Sequence, residues 1–270
     1  MTVKEAALLL SEAGVCEPTH DARTIFRRLG GFSDADIFTG RASTDDPAVR
    51  DAVLRRARRE PLQYILGEAD FYRERYKVTP DCLIPRFDTE ILVDYAVKNL
   101  PDGSCFIDLC TGSGCVAIST LKNTRSTRAI AVDISAAALS VAAENASRIG
   151  VSHRLELLCA DATVYVPDVK PFAVLSNPPY VSEDAYRALD REIYYEPEAA
   201  FVGGIDGGDF YRRITPIYKD LIPKEGFIAY EIGYDQSALL REIAEENDLD
   251  CRIINDLSDI PRVAVLTRRA

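Results

Sequence analysis

From residue 104 onward, short apolar runs alternate with amphipathic helical stretches, and the first four runs lead in turn to Asp108, Asp133, Asp161 and Asn177. Cys105-Phe106-Ile107-Asp108-Leu109 reads as a buried strand, followed by the loop Thr111-Gly112-Ser113-Gly114 and a helix through Leu121. Ala129 to Asp133 is a second strand and Ala136 to Ile149 its helix; Leu155 to Leu158, Phe172 to Ser176 and Phe227 to Tyr230 continue the series. A helix from Ser237 to Glu246 precedes two closing strands, 251–256 and 262–267, joined around Asp259-Ile260-Pro261. Such alternation predicts an α/β fold, a doubly wound and mostly parallel seven-stranded sheet. The short final connection makes the last strand antiparallel.

Open α/β sheets bind ligands beyond the carboxyl ends of their strands, where the strand order reverses. Glycines in Thr111-Gly112-Ser113-Gly114 let the backbone approach a ligand, and the helix after them presents unpaired N–H groups. Val116 and Ala117 stand where a dinucleotide fingerprint wants its third glycine, which disfavours a dehydrogenase. Asp133 is placed to accept from a ribose diol and Asp161 from an adenine amino group. Asp108, inside the first strand end, can hold the cationic end of a ligand or brace the loop.

Asn177-Pro178-Pro179-Tyr180 follows the fourth strand. Two adjacent prolines fix φ and remove two donors while keeping their carbonyl acceptors. A bare Pro-Pro would be a stiffened turn. With Asn before it and Tyr after it, the segment becomes an acceptor ledge: the Asn177 side-chain oxygen and the Pro178 carbonyl can take both hydrogens of one planar NH2 group, with Tyr180 as a flat cover. That arrangement suits methyl transfer to an amide or exocyclic amine nitrogen.

The first 60 residues show helical patterning alone. Ala6, Leu8, Leu9 and Leu10 form one apolar cluster, Ile25, Phe26 and Leu29 a second closed by Gly30-Gly31, and Asp45-Asp46-Pro47 opens a third helix. The expected organisation is a helical substrate-docking domain over 1–60, a β-hairpin connector over 61–86, and a catalytic domain over 87–270. Asp88 is expected to cap the helix that carries Ile91, Leu92, Tyr95 and Ala96. Arg50, Arg55, Arg56, Arg58 and Arg59 read as a solvated helix face. Asn145-Ala146-Ser147 has glycosylation spacing by chance, in the middle of a helix.

A net charge of −11 argues against bulk binding of phosphate backbones. Seven cysteines without a CxxC pair, and only His20 and His153, make a zinc site or a Ser-His-Asp triad a poor fit and suit reduced thiols. No apolar run approaches the ~20 residues that span a bilayer, and the first residues show no secretory signal, so the cytoplasm is expected.

The chain resembles class I S-adenosylmethionine-dependent methyltransferases in Asp108-Leu109-Cys110-Thr111-Gly112-Ser113-Gly114. More narrowly it resembles the HemK/PrmC family of protein-(glutamine-N5) methyltransferases. That likeness covers Pro61 to Gly67, Leu83-Ile84-Pro85-Arg86-Phe87-Asp88-Thr89-Glu90, the ledge, Glu196-Pro197, Gly203-Gly204-Ile205-Asp206-Gly207 and Glu231-Ile232-Gly233. The resemblance implies S-adenosyl-L-methionine as cofactor, peptide chain release factors as partners, and methylation of their Gly-Gly-Gln glutamine by a monomer without direct nucleic-acid contact or membrane. It implies cofactor contacts from Asp108, Cys110, Thr111, Gly112, Ser113, Gly114, Asp133, Asp161, Ala162 and Asn177. Substrate contacts are implied for Arg86 and for the ledge, whose four residues carry the chemistry. Phe87 replaces a usual proline, and Ala162 a usual bulky residue against adenine. Three other readings remain: an adenine N6 or guanine N2 methyltransferase acting on a flipped base, an S-adenosylmethionine-binding module without catalysis, and, more distantly, the dehydrogenase.

Overall fold

The structure is a computed structural model that describes residues 1–269. The chain divides into two compact units: Met1–Glu68 with Asp190–Tyr195, and Ala69–Leu189 with Glu196–Ala270.

The first unit is helical, with α1 (Val3–Glu12), α2 (Pro18–Arg28), α3 (Asp34–Phe38), α4 (Pro47–Ala57) and α5 (Leu62–Leu66). Thr2 and Glu5 close a capping box on α1, and Asp46 accepts from Ala48 N at 2.8 Å ahead of Pro47 on α4. Its core is Ala6, Leu10, Ala22, Ile25, Phe26, Val49, Val53, Leu62 and Ile65. Leu10, Ile25 and Phe26 are fully buried, each contributing about 1.5–3 kcal/mol. Leu8 departs from the expected cluster; at 61% exposure it lies off the Ala6–Leu10 face. The arginines are also not a uniformly solvated face. Arg56 is buried, its Nε donating to Asp21 at 2.6 Å and its Nη2 to Glu192 at 3.0 Å, and Arg59 Nε reaches the same Glu192 oxygen at 2.8 Å. Residues 190–195, distant in sequence, therefore join this unit.

The expected connector also differs. Residues 62–66 are a helix because Pro61 starts it, Gly67 ends it at φ 73°, and Leu62 and Ile65 share the buried face. The hairpin is confined to β1 (Glu68–Phe71) and β2 (Glu74–Lys77).

In the second unit a 3₁₀ turn over Phe87–Thr89 runs into α6 (Glu90–Asn99). Asp88 lies within that turn and pairs with Arg262 at 2.9 Å, so it does not cap the helix as expected. The series then runs β3 (Cys105–Leu109), α7 (Cys115–Asn123), β4 (Arg128–Asp133), α8 (Ala136–Ile149), β5 (Leu155–Cys159) and β6 (Ala173–Ser176). It continues with α9 (Glu183–Tyr186), α10 (Asp209–Tyr218), β7 (Phe227–Glu231), α11 (Ser237–Glu246), β8 (Leu249–Asn255) and β9 (Pro261–Arg268). The sheet order is β5-β4-β3-β6-β7-β9-β8, with β9 antiparallel to both neighbours. This is the expected seven-stranded, doubly wound sheet, reversing between β3 and β6. Phe106 and Ala173 face one apolar layer; Ile107 and Val174 face the other, as the period of two requires. Among the described residues no helix is long and apolar enough to cross a membrane.

Candidate active site

A cavity of about 570 Å³ opens at the carboxyl ends of β3, β4, β5 and β6. Of the expected site residues, Cys110, Gly112, Asp133, Asp161, Ala162, Asn177 and Pro179 line it, joined by Leu83, Pro197 and Gly204 from the other segments of the family likeness. Asp108, Thr111, Ser113, Gly114, Pro178, Tyr180 and Arg86 do not.

Asp108 sits behind the loop. It is 1% exposed, and its Oδ2 accepts from Thr111 Oγ1 at 2.6 Å and Ala117 N at 3.1 Å. Burial raises its carboxyl to about 7 against those two bonds. The brace, rather than a direct grip on a ligand, is what this geometry provides. Cys110 takes a left-handed turn at φ 60°, which brings the chain off β3 into the loop. Gly112 has φ 55°, and a Cβ built there would meet nothing within 4 Å, so the loop keeps its cavity side open.

Asp133 accepts from Gly112 N at 2.8 Å through Oδ2 and from Ser135 N at 2.9 Å through Oδ1. One carboxylate thus shapes the loop and, with its remaining lone pairs, faces the cavity. Asp161 accepts both Thr163 N (2.8 Å) and Thr163 Oγ1 (2.7 Å) on Oδ1, leaving Oδ2 for a ligand.

Asn177 leaves β6 beside the cavity and donates Nδ2 to Thr89 Oγ1 at 3.2 Å. Its Oδ1 is therefore the atom left to accept. Pro178 and Pro179 are buried. The Tyr180 hydroxyl donates to Glu231 Oε1 at 3.1 Å; burial and that carboxylate hold the phenol protonated. Gly203 and Gly207 pack against the ledge: a Cβ on Gly203 would stand 2.4 Å from the Pro179 carbonyl, and one on Gly207 2.1 Å from the Tyr180 carbonyl, which also accepts from Gln236 Nε2 at 2.9 Å. Arg86 pairs with Glu196, whose other oxygen accepts from Ile84 N at 2.9 Å. That buried glutamate ties Ile84-Pro85-Arg86 to the cavity wall beginning at Pro197.

Several lining residues gave no signal in the sequence, among them Ile134, Phe210 and Arg213. Ile134 and Phe210 line the same cavity as Ala162. Asn145 was legible only as a glycosylation sequon. It is fully buried; its Nδ2 donates to Lys77 O and Ser113 O at 3.0 Å each, and its Oδ1 accepts from Lys77 N at 2.7 Å. It clasps the hairpin to the glycine loop.

The cavity fits an adenosyl group bearing an amino-acid tail: open at Gly112, acidic at the ends of two successive strands, apolar between them. Sheet order, glycine loop, strand-end acids and amide ledge define a class I S-adenosylmethionine-dependent methyltransferase. The family model for the PrmC N-terminal domain matches residues 2–67, and that for the methyltransferase small domain matches residues 87–196. A release factor glutamine methyltransferase from Caulobacter vibrioides is 33% identical over 95% of this chain and 91% of its own length. One from Geobacter sulfurreducens is 36% identical over 80% and 76%. A solved ribosomal protein L11 methylase from Lactobacillus delbrueckii subsp. bulgaricus shares the fold, with TM-score 0.52 and 17% identity over 72% of this chain and 84% of that one. The chain belongs to the release factor glutamine methyltransferase family.

Proposed function

We propose that this protein methylates the side-chain amide nitrogen of the glutamine in the Gly-Gly-Gln motif of peptide chain release factors. The observation that carries the reading is the ledge. Asn177 is oriented with Nδ2 on Thr89, so that Oδ1 serves as an acceptor beside the cavity. An amide nitrogen is a weak nucleophile because its lone pair is delocalised. Asn177 Oδ1 and the Pro178 carbonyl accept its two N–H bonds and hold its π face toward the cofactor. Bound S-adenosylmethionine supplies an electrophilic methyl group. Asp133 holds the ribose diol and Asp161 the adenine amino group, with Ile134, Ala162 and Phe210 around the base and the Cys110–Gly114 loop along the tail. Rate enhancement comes from orientation and fixed dipoles rather than from a strong base. After transfer the nitrogen loses a proton to solvent or to a ledge oxygen.

The helical unit serves as the docking module for the release factor. It exposes Leu8 and Phe38, the latter at 89%. A Gly-Gly-Gln loop alone offers far less area than the about 1,200–2,000 Å² of a stable interface. The protein works as a monomer in the cytoplasm, and its net charge of −11 opposes direct nucleic-acid binding. Asn177→Ala tests the core of this reading. Turnover should fall at least about a hundredfold while cofactor affinity stays near wild type. Wild-type turnover in that variant would remove the ledge from the mechanism.

A further inference from the structure

Glu231-Ile232-Gly233, at the end of β7, has so far no part in the chemistry. Glu231 is 2% exposed, and its Oε1 accepts from Tyr180. Its Oε2 is buried and closes no hydrogen bond. Beside the carboxylate stands the Thr89 hydroxyl, itself 1% exposed, whose oxygen accepts from Asn177 Nδ2. A hydroxyl has one proton and turns freely. The orphaned carboxylate oxygen and that proton are complementary.

We propose that Glu231 is a positioning residue which, through Thr89, fixes the Asn177 carboxamide with Oδ1 toward the cavity. This rests on the ledge reading above. A carboxamide flip exchanges oxygen and nitrogen at almost no steric cost. Flipped, Asn177 would turn its NH2 against the substrate NH2, donor facing donor. Thr89 alone permits either state, since its hydroxyl can accept from Nδ2 or donate to Oδ1. An ionised carboxylate behind it only accepts. It takes the Thr89 proton, so Thr89 meets Asn177 as an acceptor and the flip is closed. The Tyr180 hydroxyl, donating to the same carboxylate, is pinned with it.

The charged surroundings of Glu231 are Asp88 on the 3₁₀ turn, which opposes its ionisation, and Arg262 on β9, which favours it; Tyr211 donates to its main-chain oxygen at 2.9 Å. Burial outweighs the Thr89 and Tyr180 hydroxyls that favour the ionised form and raises the carboxyl to about 7. Protonated, Glu231 becomes a donor, Thr89 is released from its role and Asn177 can flip. Turnover therefore falls on the acid side of that value.

The test uses full-length Glu231→Gln, Thr89→Val, Thr89→Ser and the Glu231→Gln/Thr89→Val double variant. Turnover on release factor is followed from about pH 6 to about pH 9, S-adenosylhomocysteine affinity by calorimetry, and the Asn177 side-chain NH2 by NMR. Glu231→Gln should lower kcat about tenfold or more with cofactor affinity within about twofold, erase the acid limb, and release the protected Asn177 Nδ2 proton. Thr89→Val should lose as much, the double variant no more than either, and Thr89→Ser should recover most of the loss. Glu231→Gln with wild-type turnover and acid limb overturns the proposal. So do additive losses in the double variant, or turnover and cofactor affinity falling together. Should the wild type leave release factor unmethylated, the functional reading fails, and the Asn177 NMR signal still decides whether Glu231 and Thr89 orient the amide.

Discussion

Replacing Asp133 by alanine tests the cofactor site and the loop together, because one carboxylate serves both. The variant loses the acceptors for Gly112 N and Ser135 N, at 2.8 and 2.9 Å. Hydrogen bonds to a charged group are worth about 1.5–3 kcal/mol each, but this site is half-exposed and water replaces part of them. A net loss of about 1–3 kcal/mol is expected, and a chain of this size loses about 2–4 °C of Tm per kcal/mol. The ribose diol adds a separate loss of about 1.5–3 kcal/mol in binding, roughly tenfold to 150-fold in Kd. Calorimetry with S-adenosylhomocysteine and with its 2′,3′-dideoxy analogue separates the two effects. Wild type should bind the analogue more weakly, whereas Asp133→Ala should bind both ligands alike. A variant that discriminates against the analogue as strongly as wild type would refute the ribose assignment. An unchanged Tm would refute the loop clamp.

Asn145→Ala leaves Lys77 N and the Ser113 carbonyl without their buried partner, and should cost about 2–4 kcal/mol, read in chemical denaturation. A loss within about 0.5 kcal/mol would show that the clasp is dispensable. Asp108 and Glu231, raised from 3.8 and 4.5 to about 7, keep their protons in the folded state after the unfolded chain has released them. Each therefore lowers stability as pH rises from about 4 to about 7, by about 3–4 kcal/mol in full. Glu231→Gln should flatten that slope, and an identical slope in wild type and variant would contradict the buried-acid argument. Phe38→Asp should raise the release-factor KM with cofactor affinity unchanged; an unaltered KM would take that helix out of the docking surface.

The parallel sheet and its strand-end acids could be read from the sequence because strand burial and crossover geometry leave a local record in apolar runs and glycine punctuation. The ends of α8 and α11 were readable for the same reason. The region between the ledge and β7 was not. Apart from the Glu196-Pro197 and Gly203 to Gly207 segments that carry the family resemblance, its walls come from Phe210 and Arg213 on α10, which no local motif marks. For Asp108 the sequence left a ligand grip and a loop brace both open, since only the structure shows Thr111 and Ala117 turned toward it. Leu62–Leu66 misled because its aromatic and β-branched content suits a strand, while Pro61 and Gly67 frame a single helical turn. Arg56 and Glu192 lie too far apart in sequence for any local pattern to pair them.

The most direct measurement is the site of label after incubation of wild-type protein with methyl-labelled S-adenosylmethionine, intact release factor, and duplex and single-stranded nucleic acid in one mixture. The label should be on the side-chain nitrogen of the Gly-Gly-Gln glutamine, located by peptide mass spectrometry, and should nearly vanish with Asn177→Ala. Label on a base amine, with the release factor unmodified, would contradict the account.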